Sequence, residues 1–158
     1  MTKQGKWNKR TLWFLGFSFL AVAFIVVNGM LNVTASYSMS EWIMGFLFPE
    51  IPFGHPLYGQ YQTVVRKIAH LAEYGALGMW LWFLKLSLEK SEKQIHGLFF
   101  CFTLLLIGML DEFFQSLSQR SGRVSDIIID LLGGLLGMAA AIGIHWIYVK
   151  IRNRRNRL

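Results

Sequence analysis

Three short segments hold the residue types that could do acid–base or ionic chemistry. Lys67, His70 and Tyr74 stand at i, i+3 and i+7, with Glu73 beside them. Asp111, Glu112 and Gln115 form a second group, and Arg123, Asp126 and Asp130 repeat the first interval, with Ser125 between. On a helix, positions at i, i+3 and i+7 share one face, so each triplet can offer its chemistry in one direction. A histidine among carboxylates can move a proton or hold a ligand. Lysine and arginine can hold phosphate or carboxylate. Carboxylates and Gln115 can take hydroxyls, amides or a divalent cation, with Asp111, Glu112 and Asp126 the metal-ligand candidates. No phosphate-binding loop, GxSxG or HExxH motif is present, and Ser125, the nearest nucleophile, is equally explained by helix packing or capping.

What must position these residues is a set of membrane helices. Of 158 residues, 54% are hydrophobic and 16% charged, and mean hydropathy is +0.40. That excludes a disordered or fibrous chain and argues against an ordinary soluble domain, where about a quarter of residues are charged. One cysteine, Cys101, excludes an internal disulfide framework. Four apolar stretches have the ~20 residues needed to cross a bilayer core: 12–30, 68–86, 95–114 and 124–149. All four read as helices, since an open strand could not satisfy its backbone in lipid. The expected fold is therefore all-α: a polytopic membrane protein with four transmembrane helices in one domain over 1–158. Its first stretch is longer than the core of a signal peptide and reads as a retained helix, although Val33-Thr34-Ala35 loosely resembles a cleavage site. A long outer loop, 31–66, holds Pro49, Pro52 and Pro56. Its apolar segment 41–48 is too short to span and reads as interfacial or re-entrant.

Charge placement orients the chain. Twelve of the sixteen Lys and Arg fall at the N-terminus (1–11), in the polar turn 85–93 that joins the second and third helices, or in the tail 150–158, read as frayed; only Arg66, Lys67, Arg120 and Arg123 lie on the other side. The positive-inside rule puts both termini in the cytoplasm. The net charge of +7 is then explained by topology and anionic headgroups, and nucleic acid is not an expected partner.

Seven of nine acidic residues fall on or near the outer side. At about 1.5 Å per residue, His70 lies some 5 Å and Glu73 some 9 Å below Lys67. Three helices thus bring ionisable groups to similar depth, where charge is costly unless it faces a bundle interior or a wet cavity. One reading is an outward-opening polar pocket. The other is a self-satisfied network of four cations and five carboxylates gluing the helices together, although buried ion pairs stabilise little relative to apolar packing. Gly133 and Gly137 continue the Asp130 stripe as a GxxxG spacing suited to close helix approach.

Residues Lys67 to Gly78 (KIAHLAEYGALG), Asp111 to Gln115 (DEFFQ) and Gly122 to Gly134 (GRVSDIIIDLLGG) resemble the VanZ-like family of small bacterial membrane proteins. The resemblance implies a place in the bacterial cytoplasmic membrane and, from the founding member, reduced sensitivity to the glycopeptide teicoplanin. It implies no settled reaction.

Three functions follow as expectations. The first is a pocket for a membrane lipid, a lipid-linked envelope precursor or a lipoglycopeptide, with Lys67, Arg120 and Arg123 on its anionic group and Tyr74, Gln115 and Ser125 among its lining. The second is an enzyme acting on a lipid headgroup: His70 as base, oriented by Glu73 or Asp126, with Asp111, Glu112 and Asp130 as acids or metal ligands. The third is a proton-coupled carrier or structural partner, weakened because ionic groups occupy only the outer half.

Overall fold

The computed structural model describes residues 8–90, 96–118 and 123–156. Among them are five helices and no strand: α1 (Lys9–Met30), α2 (Val33–Leu47), α3 (Tyr58–Glu89), α4 (Gly97–Leu117) and α5 (Val124–Arg155). Asn8 and Asn32 cap α1 and α2, each side chain accepting a hydrogen bond from a first-turn backbone N–H, of Arg10 and Ala35.

Three helices, α1, α4 and α5, are long and apolar enough to cross a membrane, and the chain reads as a multi-pass membrane protein. At most a third of the residues in each apolar window are buried. Phe19, Phe24, Phe102, Leu136 and Trp146 all point outward, which suits a hydrocarbon surround. The expected fourth span is different. Helix α3 has the length but not the apolarity, because Lys67, His70, Glu73 and Tyr74 sit within it. It lies at the centre of the bundle and packs against every other helix, most extensively α5. An interior helix can carry polar groups that a lipid-facing one cannot.

The long loop is also corrected. Residues 31–66 contain the whole of α2 and the first turns of α3, so residues 41–47 are the second half of a helix and not loop. Apart from the junction at Leu31 and Asn32, the stretch between α2 and α3 is the irregular part, where the three prolines fall and Gly54 takes φ 90°. Met44, Ile51 and Val65 pin this cap onto α3. The tail is not frayed up to Arg155, where α5 ends.

The main core joins Ile25, Tyr74, Leu77, Leu81, Phe100, Leu104, Ile107 and Met138. Helices α3 and α5 run parallel, and glycines set their spacing. A Cβ on Gly137 would fall on the Gly75 carbonyl, one on Gly78 on the Gly134 carbonyl, and one on Gly133 2.6 Å from the Leu71 carbonyl oxygen. Helix α1 is antiparallel to α3: the Thr11 and Ser87 hydroxyls hydrogen-bond at 2.6 Å at one end, and Asn28 Nδ2 donates to Glu73 Oε1 at 2.8 Å toward the other. Helix α4 ends beside the end of α1, where Ser118 Oγ donates to the carbonyls of Gly29 and Met30. The starts of α3 and α5 therefore share one end of the bundle with the ends of α1 and α4. The start of α1 and the end of α5 meet at the other, around Arg10 and Tyr148.

Candidate functional site

The close α3–α5 seam brings His70 and Asp130 together. His70 Nδ1 lies 3.1 Å from Asp130 Oδ1 and 3.7 Å from Asp111 Oδ2. Helix α4 delivers Asp111, and Gly108, one turn earlier, faces Asp130, where a Cβ would stand in ordinary contact at 3.6 Å from Asp130 Oδ2. Asp111 is further held by Gln115, one turn on, whose Nε2 donates to Asp111 Oδ2 at 3.0 Å. Tyr74, Asp111, Gln115 and Asp130 are almost wholly buried (0–1% exposed) and His70 is buried.

This cluster is under-supplied with partners. Asp111 Oδ1, Asp130 Oδ2, Gln115 Oε1 and Tyr74 Oη are buried with no hydrogen-bond partner among the described residues. Each buried acceptor left alone costs about 1–3 kcal/mol. No lysine or arginine pairs with these carboxylates among the described residues; His70 is their only cationic contact. A self-satisfied salt-bridge network is thus not what the described residues form.

Above the cluster, toward the starts of α3 and α5, lies a cleft of about 160 Å³. Arg66, Lys67 and Arg123 line it with Tyr37 and Thr63, and His70 and Asp126 complete its wall. Among the described residues, none of the three cations forms an ion pair. With Nδ1 turned to the carboxylates, Nε2 is the His70 nitrogen left for a group in the cleft. A roomier hollow of about 510 Å³ opens at the opposite end, lined by Arg10, Lys90 and His145 with Phe14, Phe83 and Tyr148, and lies away from the buried cluster.

The sequence-derived candidates thus divide. His70, Asp111, Asp130, Gln115 and Tyr74 gather in the buried cluster, and Lys67, Arg123 and Asp126 border the cleft. Two expected orientations are corrected. His70 is oriented by Asp130, not by Glu73, which takes the Asn28 amide, or by Asp126, which accepts from Ser125 Oγ at 3.2 Å on the exposed side. The convergent donor set is His70, Asp111 and Asp130, not Asp111 with Glu112 and Asp126. Glu112 Oε2 instead accepts the Arg123 backbone N–H at 2.6 Å, tying the end of α4 to the start of α5. Arg120 lies outside the described residues. Arg66, Tyr37, Asn28 and Gly29 were not singled out as site residues. Only Arg66, among the four outer cations, carried a signal in the sequence.

Gly29 gives a direct test of the assembly. A Cβ at this position would fall on Asp111 Oδ1, so Gly29→Ala must shift the carboxylate whose other oxygen faces His70 and accepts from Gln115. We expect a loss of about 1–3 kcal/mol in unfolding experiments in detergent micelles. Gly16→Ala, with nothing within 4 Å, should leave the midpoint in place; equal behaviour of the two variants would refute this packing.

The family described as VanZ/LLP1 matches this chain over residues 8–148. No curated protein and no solved structure matches it.

Proposed function

We propose that this chain, which belongs to the VanZ/LLP1 family, is a bacterial envelope membrane protein that seats the anionic headgroup of a membrane amphiphile in the cleft above His70. In this reading α3 crosses the bilayer as a fourth span, shielded by α1, α4 and α5. Both termini face the cytoplasm, where the positive-inside rule places the basic ends. The cleft then opens at the outer leaflet, at headgroup depth.

The observation that carries the reading is the three cations around the cleft without an acidic partner among the described residues. Three cations against one carboxylate, Asp126, leave the cleft a positive surplus that suits phosphate or carboxylate, and the first-turn N–H groups of α5 add positive potential from the same side. Exposed apolar residues on the helices that line the cleft, such as Ile68 on α3 and Ile128 on α5, suit the acyl or prenyl chain. A lipid-linked wall or teichoic-acid precursor meets both requirements. Shielding such a precursor, or a lipoglycopeptide directed at it, connects this reading to teicoplanin-type resistance.

The test is binding of a fluorescent polyprenyl phosphate to the purified full-length protein in micelles. Saturable binding is expected, with phosphatidylcholine failing to compete. Replacing Arg66, Lys67 and Arg123 together by Gln should weaken it by about tenfold or more, since charge-assisted contacts each contribute about 1.5–3 kcal/mol before solvent screening. Equal affinity in the triple variant, or no binding of any envelope lipid by folded protein, would overturn the proposal.

The His70–Asp130 contact favours a second reading, in which Asp130 orients His70 as a general base acting on the bound headgroup. The same assay separates the two. Probe recovered unchanged supports the binding protein, and a converted headgroup supports the enzyme.

A further inference from the structure

We infer that His70, Asp111 and Asp130 form a binding site for one divalent transition-metal ion, with one donor from each of three helices. The inference stands on the buried cluster and is independent of the headgroup reading.

One donor atom from each of the three residues can be chosen so that all lie within 4.8 Å of one another, and His70 Nδ1 is 3.1 Å from Asp130 Oδ1 and 3.7 Å from Asp111 Oδ2. Donors about 2.0–2.2 Å from a common ion stand roughly 3–4 Å apart, so small side-chain adjustments suffice.

The second observation is independent of the cluster's acidity. Asp111 Oδ1, Asp130 Oδ2 and Gln115 Oε1 are buried without partners among the described residues, on side chains at most 1% exposed. A cation and its bound water would satisfy what the protein leaves unsatisfied. Gly29 makes room for the Asp111 carboxylate itself, since a Cβ there would fall on Asp111 Oδ1.

Charge and donor type select the ion. Two carboxylates and a neutral imidazole balance a charge of +2, which is the low-cost state for a site away from bulk water. Calcium and magnesium favour all-oxygen shells. An imidazole with two carboxylates suits zinc, manganese or iron(II). Gln115 serves as a positioning residue, holding Asp111 through Nε2. Because His70 also lines the cleft, that cleft is the route by which the ion arrives. Metal on Nδ1 would leave the proton on Nε2, making His70 a hydrogen-bond donor toward the cleft.

The experiment strips the full-length protein with chelator in micelles, then titrates Mn²⁺ by electron paramagnetic resonance and Zn²⁺ by calorimetry. One ion per chain is expected, with ¹⁴N coupling to Mn²⁺ that His70→Gln abolishes. Asp130→Asn should weaken binding more than tenfold and Gln115→Leu by roughly tenfold, while His96→Gln, at the exposed start of α4, changes nothing. Binding without nitrogen coupling in the wild-type protein would overturn the site even if every variant misfolded. So would folded wild-type protein that takes up no ion, as when the carboxylates hold protons instead, or equal affinity in wild type and Asp130→Asn.

Discussion

Gly137→Ala is expected to lower the unfolding free energy by about 3 kcal/mol, the upper end of what overpacking costs, and Gly137→Leu to yield little folded protein. The added Cβ has nowhere to go: it falls on the carbonyl of Gly75, in the backbone of the neighbouring helix. A flexible side chain could rotate away, but a helix backbone must shift as a unit. Separating α3 from α5 at this point also withdraws Gly134 from Gly78 and Gly133 from Leu71. It further opens the His70–Asp130 contact two turns nearer the cleft. In lipid, van der Waals contact of this kind carries much of the association between helices, so the lost approach is not restored by a hydrophobic effect elsewhere. Gly143→Ala is the matched control, on the same helix with nothing within 4 Å, and should stay within about 0.5 kcal/mol of the parent. Reversible denaturant titration in micelles, read by tryptophan fluorescence, would measure both. Coincident curves for Gly137→Ala and Gly143→Ala would mean the seam is looser than the structure shows.

The same seam explains what could and could not be read from the amino-acid order. Hydropathy located α1, α4 and α5 to within a few residues at most ends, because lipid-facing helices must be apolar on their outer faces. It understated α3 and missed α2. Tyr58 to Arg66 is polar, follows Pro56, and is held as helix by Met44 and Ile51 packing on Val65, a long-range contact with no local signature. Spacing placed His70, Asp111 and Asp130 at one depth. It could not say which carboxylate meets His70, since that depends on helix rotation, and rotation is set by glycine contacts between helices. Asp126 and Asp130 share a stripe but lie a turn apart, so one reaches the cleft and the other the core. Asp111 and Glu112 are neighbours separated by about 100° of rotation, so one enters the cluster and the other caps the next helix. Asn28 and Gly29 escaped notice because nothing in α1 marks them, and only the Glu73 carboxylate and the Asp111 oxygen lying against them show their part.

His70→Leu should be the most damaging single change at the site, costing about 3–5 kcal/mol in the metal-stripped protein, the range for removing one partner from a buried ion pair. It strands Asp111 and Asp130 together, with no other cation in contact among the described residues. Asp130→Leu should cost less, because His70 retains Asp111 at 3.7 Å and one of the two crowded carboxylates is gone. The double variant carries the argument. Leucine at both positions removes charge and partner together, and apolar replacement of a buried pair is often close to neutral. Its cost should therefore fall below the sum of the single changes by about 0.5–3 kcal/mol. Denaturant midpoints of the four proteins, measured in chelator so that ion binding does not contribute, give the coupling directly. Strictly additive costs would show that His70 and Asp130 do not act on one another, and the contact at 3.1 Å could then not be what organises the floor of the cleft.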